Sequence, residues 1–99
     1  MYFLKNLLEL MSEKNASDLH LSIGSPPRIR INGDLIPIDE EKLTLEQIKK
    51  LLQEYISDDK LQEIKKGTEC DFTIGIPGLS RYRVNAFKQR GNIVATFRR

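Results

Sequence analysis

The 99 residues contain no tryptophan, one cysteine, one histidine and four prolines. A single Cys70 excludes an internal disulfide and any zinc site built from cysteine pairs. A lone His20, with no serine or cysteine nucleophile signature beside it, gives neither a hydrolytic triad nor a metal centre. No apolar run approaches the roughly 20 residues that a membrane-spanning helix needs. The opening Met1–Leu4 is too short, and too soon broken by Lys5, to form a signal-peptide core. A cytoplasmic location is therefore expected, and the sequon Asn15-Ala16-Ser17 carries no meaning on that reading. Neither G-x-x-x-x-G-K-[ST] nor G-x-G-x-x-G occurs, and Gly75, Gly78 and Gly91 stand at turn positions. The chain by itself offers no active site, which leaves a binding or regulatory module.

Acidic residues also run out. Residues 1–71 hold ten basic and fourteen acidic side chains, a net −4, whereas residues 72–99 hold six basic and no acidic ones, a net +6. The overall +2 hides this split. A purely basic end points to an anionic partner, although charge speaks of partners and not of fold.

What is present is globular. Hydrophobic residues make up 39% and are spread throughout, enough for one modest core in one domain. Leu4, Leu7, Leu8 and Met11 recur at helical spacing, which predicts a helix over 2–14. Leu19, Leu21 and Ile23 alternate with Asp18, His20 and Ser22, a strand pattern. Ser25-Pro26-Pro27 breaks the chain, and Arg28 to Asn32 resume the alternation. Asn32-Gly33-Asp34 is a hairpin turn signal, with Leu35, Ile36 and Ile38 returning. Thr44 and Gln47 stand at capping-box spacing ahead of an apolar stripe of Leu45, Ile48, Leu51, Leu52, Tyr55 and Ile56, with Lys49, Lys50, Gln53 and Glu54 facing water. A second helix begins near Ser57-Asp58 and stops at Gly67. Three strands follow, with turns at Pro77-Gly78 and Gly91-Asn92. The order predicts an α+β domain, an antiparallel sheet with helices on one face. The sequence ends inside the last strand, which predicts a piece of a longer protein.

Strand phase isolates the candidate chemistry. With the apolar sets turned toward the helices, the opposite face carries Asp18, His20, Ser22, Arg28, Arg30, Arg81, Arg83 and Asn85, and Arg98 can join it. Up to five guanidiniums on one face repel unless carboxylates or phosphates stand among them. The planar guanidinium fork suits bidentate phosphate or carboxylate contact. Two outcomes stay open: a solvated face paired to Asp18 and nearby acids, or a surface for an anion or acidic partner. The acids Asp39-Glu40-Glu41 read as helix-dipole and solvation charges, and Cys70 as a small half-buried hydrophobe.

Two long motifs carry a resemblance. Ala16-Ser17-Asp18-Leu19-His20-Leu21-Ser22 with Pro26-Pro27-Arg28-Ile29-Arg30-Ile31-Asn32-Gly33-Asp34-Leu35 is one. Arg81 through Asn92, running on to Thr96-Phe97-Arg98-Arg99, is the other. Together they resemble the amino-terminal, PAS-like domain of type IV pilus retraction ATPases, the PilT family of twitching-motility motors within the secretion ATPase superfamily. That resemblance implies a domain over residues 1–99, set ahead of a RecA-like domain that binds ATP and Mg. It implies a homohexameric ring, cytoplasmic and peripheral to the inner membrane at the pilus base. Its partners would be its own RecA-like domain, neighbouring subunits and inner-membrane platform proteins, with no nucleic acid expected. It further implies that Arg83 and Arg98, with Arg81 a lesser candidate, reach nucleotide phosphates as arginine fingers. Hydrolysis by these residues alone is not expected, because the phosphate loop is missing. Other classes remain: a binder of single-stranded nucleic acid or of an acidic protein, for which Tyr82, Phe87 and Phe97 interleave with basic strands, and a small-molecule sensor, for which no flavin or haem anchor stands out.

Overall fold

Apolar residues at helical spacing form the first element, α1 (Leu4–Glu13), and bury Leu4, Leu7, Leu8 and Met11. The computed structural model describes residues 2–99; Met1, the first residue of the opening apolar run, lies outside them. Among the described residues α1 is followed by β1 (Asp18–Ser22), β2 (Arg28–Ile31), β3 (Asp34–Pro37), α2 (Leu45–Gln53), α3 (Asp58–Lys65), β4 (Cys70–Ile76), β5 (Ser80–Gln89) and β6 (Asn92–Arg98). No helix among them is long and apolar enough to cross a membrane.

The helix ends show how local and distant chemistry divide the work. At α2 the Thr44 hydroxyl accepts from the Gln47 amide at 3.2 Å, and the Gln47 side-chain oxygen accepts from the Thr44 amide at 2.8 Å. This is the capping box that the spacing predicts. Ser57 caps α3 by accepting from the Lys60 amide at 3.3 Å. Helix α1 has no such local cap, since Phe3 stands at its N-cap. The Glu54 carboxylate takes that place, accepting from the amides of Leu4 at 2.7 Å and Lys5 at 3.4 Å. Glu54 is exposed, as its place on the helical wheel implies, yet it also neutralises orphan donors at a positive helix end. Leu45 departs from the expected stripe and stands exposed at the first helical position.

All six strands join one antiparallel sheet in the order β3-β2-β1-β6-β5-β4. Strand β1 pairs with β2 on one side and with the final strand β6 on the other. The first and last strands therefore meet at mid-sheet. One face supplies Leu19, Leu21, Ile29, Val84, Ala86, Ala95 and Phe97 to the core, against Leu8, Met11, Ile48, Leu52 and Ile64 from the helices. Helix α1 packs on β1, α2 on β6 and α3 on β5 and β4, which leaves the other face free of helices.

Both tight hairpins put two positive-φ residues at the turn, the mirror-image geometry that matches strand twist. Asn32 (φ 51°) and Gly33 (φ 86°) do so between β2 and β3, where the sequence predicts it. Between β5 and β6 the turn residues are Arg90 (φ 54°) and Gly91 (φ 80°), one position earlier than expected, with Asn92 already paired to Gln89. The register explains the shift. Val84 must face Phe97 and Ala86 must face Ala95, and a one-residue slip would turn that apolar set outward.

Candidate functional site

Two rungs of side chains cross the helix-free face. The first runs Arg30, Asp18, Arg98, Arg83 and Thr73 across β2, β1, β6, β5 and β4. The second runs Arg28, His20, Thr96, Asn85 and Asp71 across the same strands. Arg83 and Arg98 are thus direct cross-strand neighbours, an arrangement that is unfavourable for like charges unless something intervenes.

Carboxylates intervene on both sides. The Arg98 Nε donates to Asp18 Oδ1 at 2.9 Å, and Arg30 Nε lies 3.3 Å from Asp18 Oδ2. The Ser17 hydroxyl adds a 2.9 Å bond to that same Oδ2. Asp18 is only 3% exposed, the one buried charged residue among those described. Burial pushes its carboxyl up, but the bonds from Arg98 and Ser17 and the charge of Arg98 outweigh that and hold it below the usual range. Arg83 grips Asp71 with both prongs, Nε to Oδ1 at 3.1 Å and Nη2 to Oδ2 at 2.9 Å. That bidentate bond lowers the Asp71 carboxyl and raises the Arg83 guanidinium.

Between the two pairs lies a shallow depression of about 380 Å³ lined by His20, Asp71, Arg83, Asn85, Thr96 and Arg98. The side chains of Arg83 and Arg98 stay 72% and 70% exposed. His20 is half-buried at its rim; burial holds the imidazole below its ordinary pKa, with Arg30 and Arg98 adding to the effect against Asp18. Arg81 stands apart. The β5–β6 ladder runs from Arg83 to Gln89, so Arg81 lies beyond it, beside a separate depression of about 430 Å³ at the β4–β5 hairpin. Arg28 donates through Nε to the Ser25 hydroxyl at 3.0 Å, and Arg30 through Nη1 to the Gly33 carbonyl at 2.8 Å. Of five candidate guanidiniums, the structure brings Arg83 and Arg98 onto neighbouring strands, has Arg30 share Asp18 with Arg98, and ties Arg28 to Ser25.

Cys70 is more buried than its strand position implies, and burial raises its thiol. Among the described residues no group of three His, Cys, Asp or Glu side chains could hold a metal ion. The residue that strand phase missed is Asp71. Along β4 it alternates with Cys70 and Phe72 and so takes the polar phase, but only the β4–β5 register brings it against Arg83. The signal was the three-residue hairpin loop, which sets Ile76 opposite Ser80 and hence Asp71 opposite Asn85.

No protein-family model matches the chain. A curated relative, the type IV pilus retraction ATPase PilT of Pseudomonas aeruginosa, is 39% identical over 92 residues, covering 93% of this chain and 27% of the relative. The type IV pilus ATPase PilU of the same organism is 34% identical over 95 residues, covering 96% of this chain and 25% of the relative. A crystal structure of the pilus retraction motor PilT with bound ADP superposes with a TM-score of 0.87 at 33% identity, covering all of this chain and 29% of that one. The chain spans about a quarter of the length of the curated relatives it matches. The chain belongs to the secretion ATPase family, and its fold is the one found in the matching part of the PilT structure. More narrowly, the chain is homologous to the amino-terminal region of the pilus ATPase PilT.

Proposed function

We propose that the chain is the amino-terminal, PAS-like domain of a type IV pilus retraction motor, an ATP-hydrolysing homohexamer of the cytoplasm held peripherally at the inner membrane. In that setting the domain closes over ATP and Mg bound to its RecA-like neighbour, and platform proteins of the pilus base are its further partners. The observation that supports this reading is the juxtaposition of Arg83 and Arg98 on an exposed face of a PilT-homologous domain. Two planar cations on one rung, with the Asn85 amide and Thr96 hydroxyl beside them, offer directed donors around a depression of about 380 Å³.

Arg83 and Arg98 would neutralise charge that develops on a departing phosphoryl group. Arg81, farther along β5, would contribute at most a more distant positive charge. Loss of such a finger costs about 10³–10⁵ in rate. In the full-length protein, Arg83→Ala and Arg98→Ala are each expected to lose ATP turnover on that scale while hexamers persist by light scattering. Wild-type turnover in either variant would overturn the finger assignment.

A further inference from the structure

Arg83 and Arg98 do not point at each other. Each leans away from its neighbour toward a carboxylate of the same domain, Arg83 to Asp71 and Arg98 to Asp18. The depression lies in the gap between them. The two carboxylates differ in what they can tolerate. Asp18 is buried, and a buried carboxylate stripped of its partner is costly. Arg30 and Ser17 stay on Asp18 if Arg98 leaves, so Asp18 works as a fixed anchor. The Asp71 side chain is 45% exposed, and the structure gives it no second cation besides Arg83 among the described residues. Once released, Asp71 returns to water at little cost.

From this contrast we infer that Asp71 is a positioning residue that parks Arg83 away from the anion-facing gap, and that an incoming phosphate must displace it. The inference rests on the reading of Arg83 as a phosphate ligand. In the parked state both prongs of the guanidinium are occupied by a carboxylate of the same geometry that a phosphate presents. Arg83 therefore cannot hold a phosphate oxygen bidentately and Asp71 bidentately together. Parking prevents cross-strand repulsion with Arg98 while the gap is empty of charge, and it sets a threshold that a weakly held anion does not cross. Arg98 meets no such conflict: it binds Asp18 through Nε alone, so its other nitrogens can face an anion while Asp18 keeps Arg30 and Ser17.

The test is a double-mutant cycle in the full-length protein, read as the dissociation constant of a fluorescent ATP analogue at fixed salt. Asp71→Asn keeps the side-chain shape and removes the charge that holds Arg83. Releasing an exposed pair of this kind is expected to tighten nucleotide binding by roughly two- to five-fold. In the Arg83→Ala background the same Asp71→Asn change is expected to do nothing, because no parked arginine remains. Asp71→Glu, which keeps the carboxylate, is expected to stay near wild type. Equal tightening by Asp71→Asn in both backgrounds would mean simple removal of a negative charge, and it would overturn the parking role. No tightening in either background overturns it as well. A distinct outcome, wild-type affinity and wild-type turnover in Arg83→Ala, would instead remove the finger reading on which the inference stands.

Discussion

At the residue scale, Asp18 shows why sequence charge is a poor guide to a site. Its strand phase puts it on the polar face, yet the structure makes it the most enclosed charge described, because two arginine stems and the Ser17 hydroxyl roof it over. Its carboxyl sits below the ordinary range although burial alone would raise it. The sign follows from linkage. The unfolded chain binds a proton near pH 4 and the folded chain only at lower pH, so the contribution to stability is full above about pH 4. It drains away as the pH falls through the depressed value. Asp18→Ala is expected to cost about 1–3 kcal/mol by urea denaturation at pH 7, since Arg30 and Arg98 are then left facing one another. The same variant is expected to lose less stability than wild type between pH 5 and about pH 2. An acid limb that is unchanged by the substitution would show that Asp18 is not the group responsible.

At the element scale, most of the architecture was legible and most of the joins were not. Periods of 3.6 and 2 located every helix and strand, and the Thr44 box, the Ser57 cap and the Asn32-Gly33 turn were readable because each is settled within four residues. The Arg90-Gly91 turn was displaced by one residue because the partner strand sets it. Glu54 is the sharper case. Nothing near it in sequence says that it caps α1, a contact across fifty residues. The consequence is testable by removing each cap. Thr44→Ala and Glu54→Ala are each expected to lower stability by about 0.5–2 kcal/mol in chemical denaturation, because each leaves helix-end amides without an acceptor. The sequence pattern alone predicts a loss only for Thr44. Stability unchanged in Glu54→Ala would mean that water serves the α1 amides equally well.

At the scale of the whole molecule, folding offsets part of the charge split along the chain, at two of the six basic residues of its end. Residues 72–99 have no acid of their own, but Asp18, Glu69 and Asp71 from the acidic body return to Arg98, Asn85 and Arg83 across the sheet. The arginine face, with Asp18 on it as a pairing acid, was legible from strand phase; the Asp71–Arg83 pair was not, because cross-strand register is a property of the assembled sheet and not of any one strand. This bears directly on the competing class of single-stranded nucleic-acid binders, which combine free cations along a groove with aromatic platforms. Tyr82 and Phe97 are 1% and 0% exposed and so cannot stack on a base, which leaves a half-buried Phe87. The central cations are already matched to carboxylates, so few are left to release counterions from a phosphate backbone. Single-stranded DNA is therefore expected to bind no more tightly than about 1 μM at physiological salt, the range of non-specific association. A fluorescence anisotropy titration over a salt series checks this. Submicromolar affinity with a steep salt slope would require Asp18 and Asp71 to have surrendered both arginines to the strand, and it would favour a nucleic-acid function over the motor domain. Weak binding leaves the paired arginines where the fold holds them, available only to a phosphate delivered at close range.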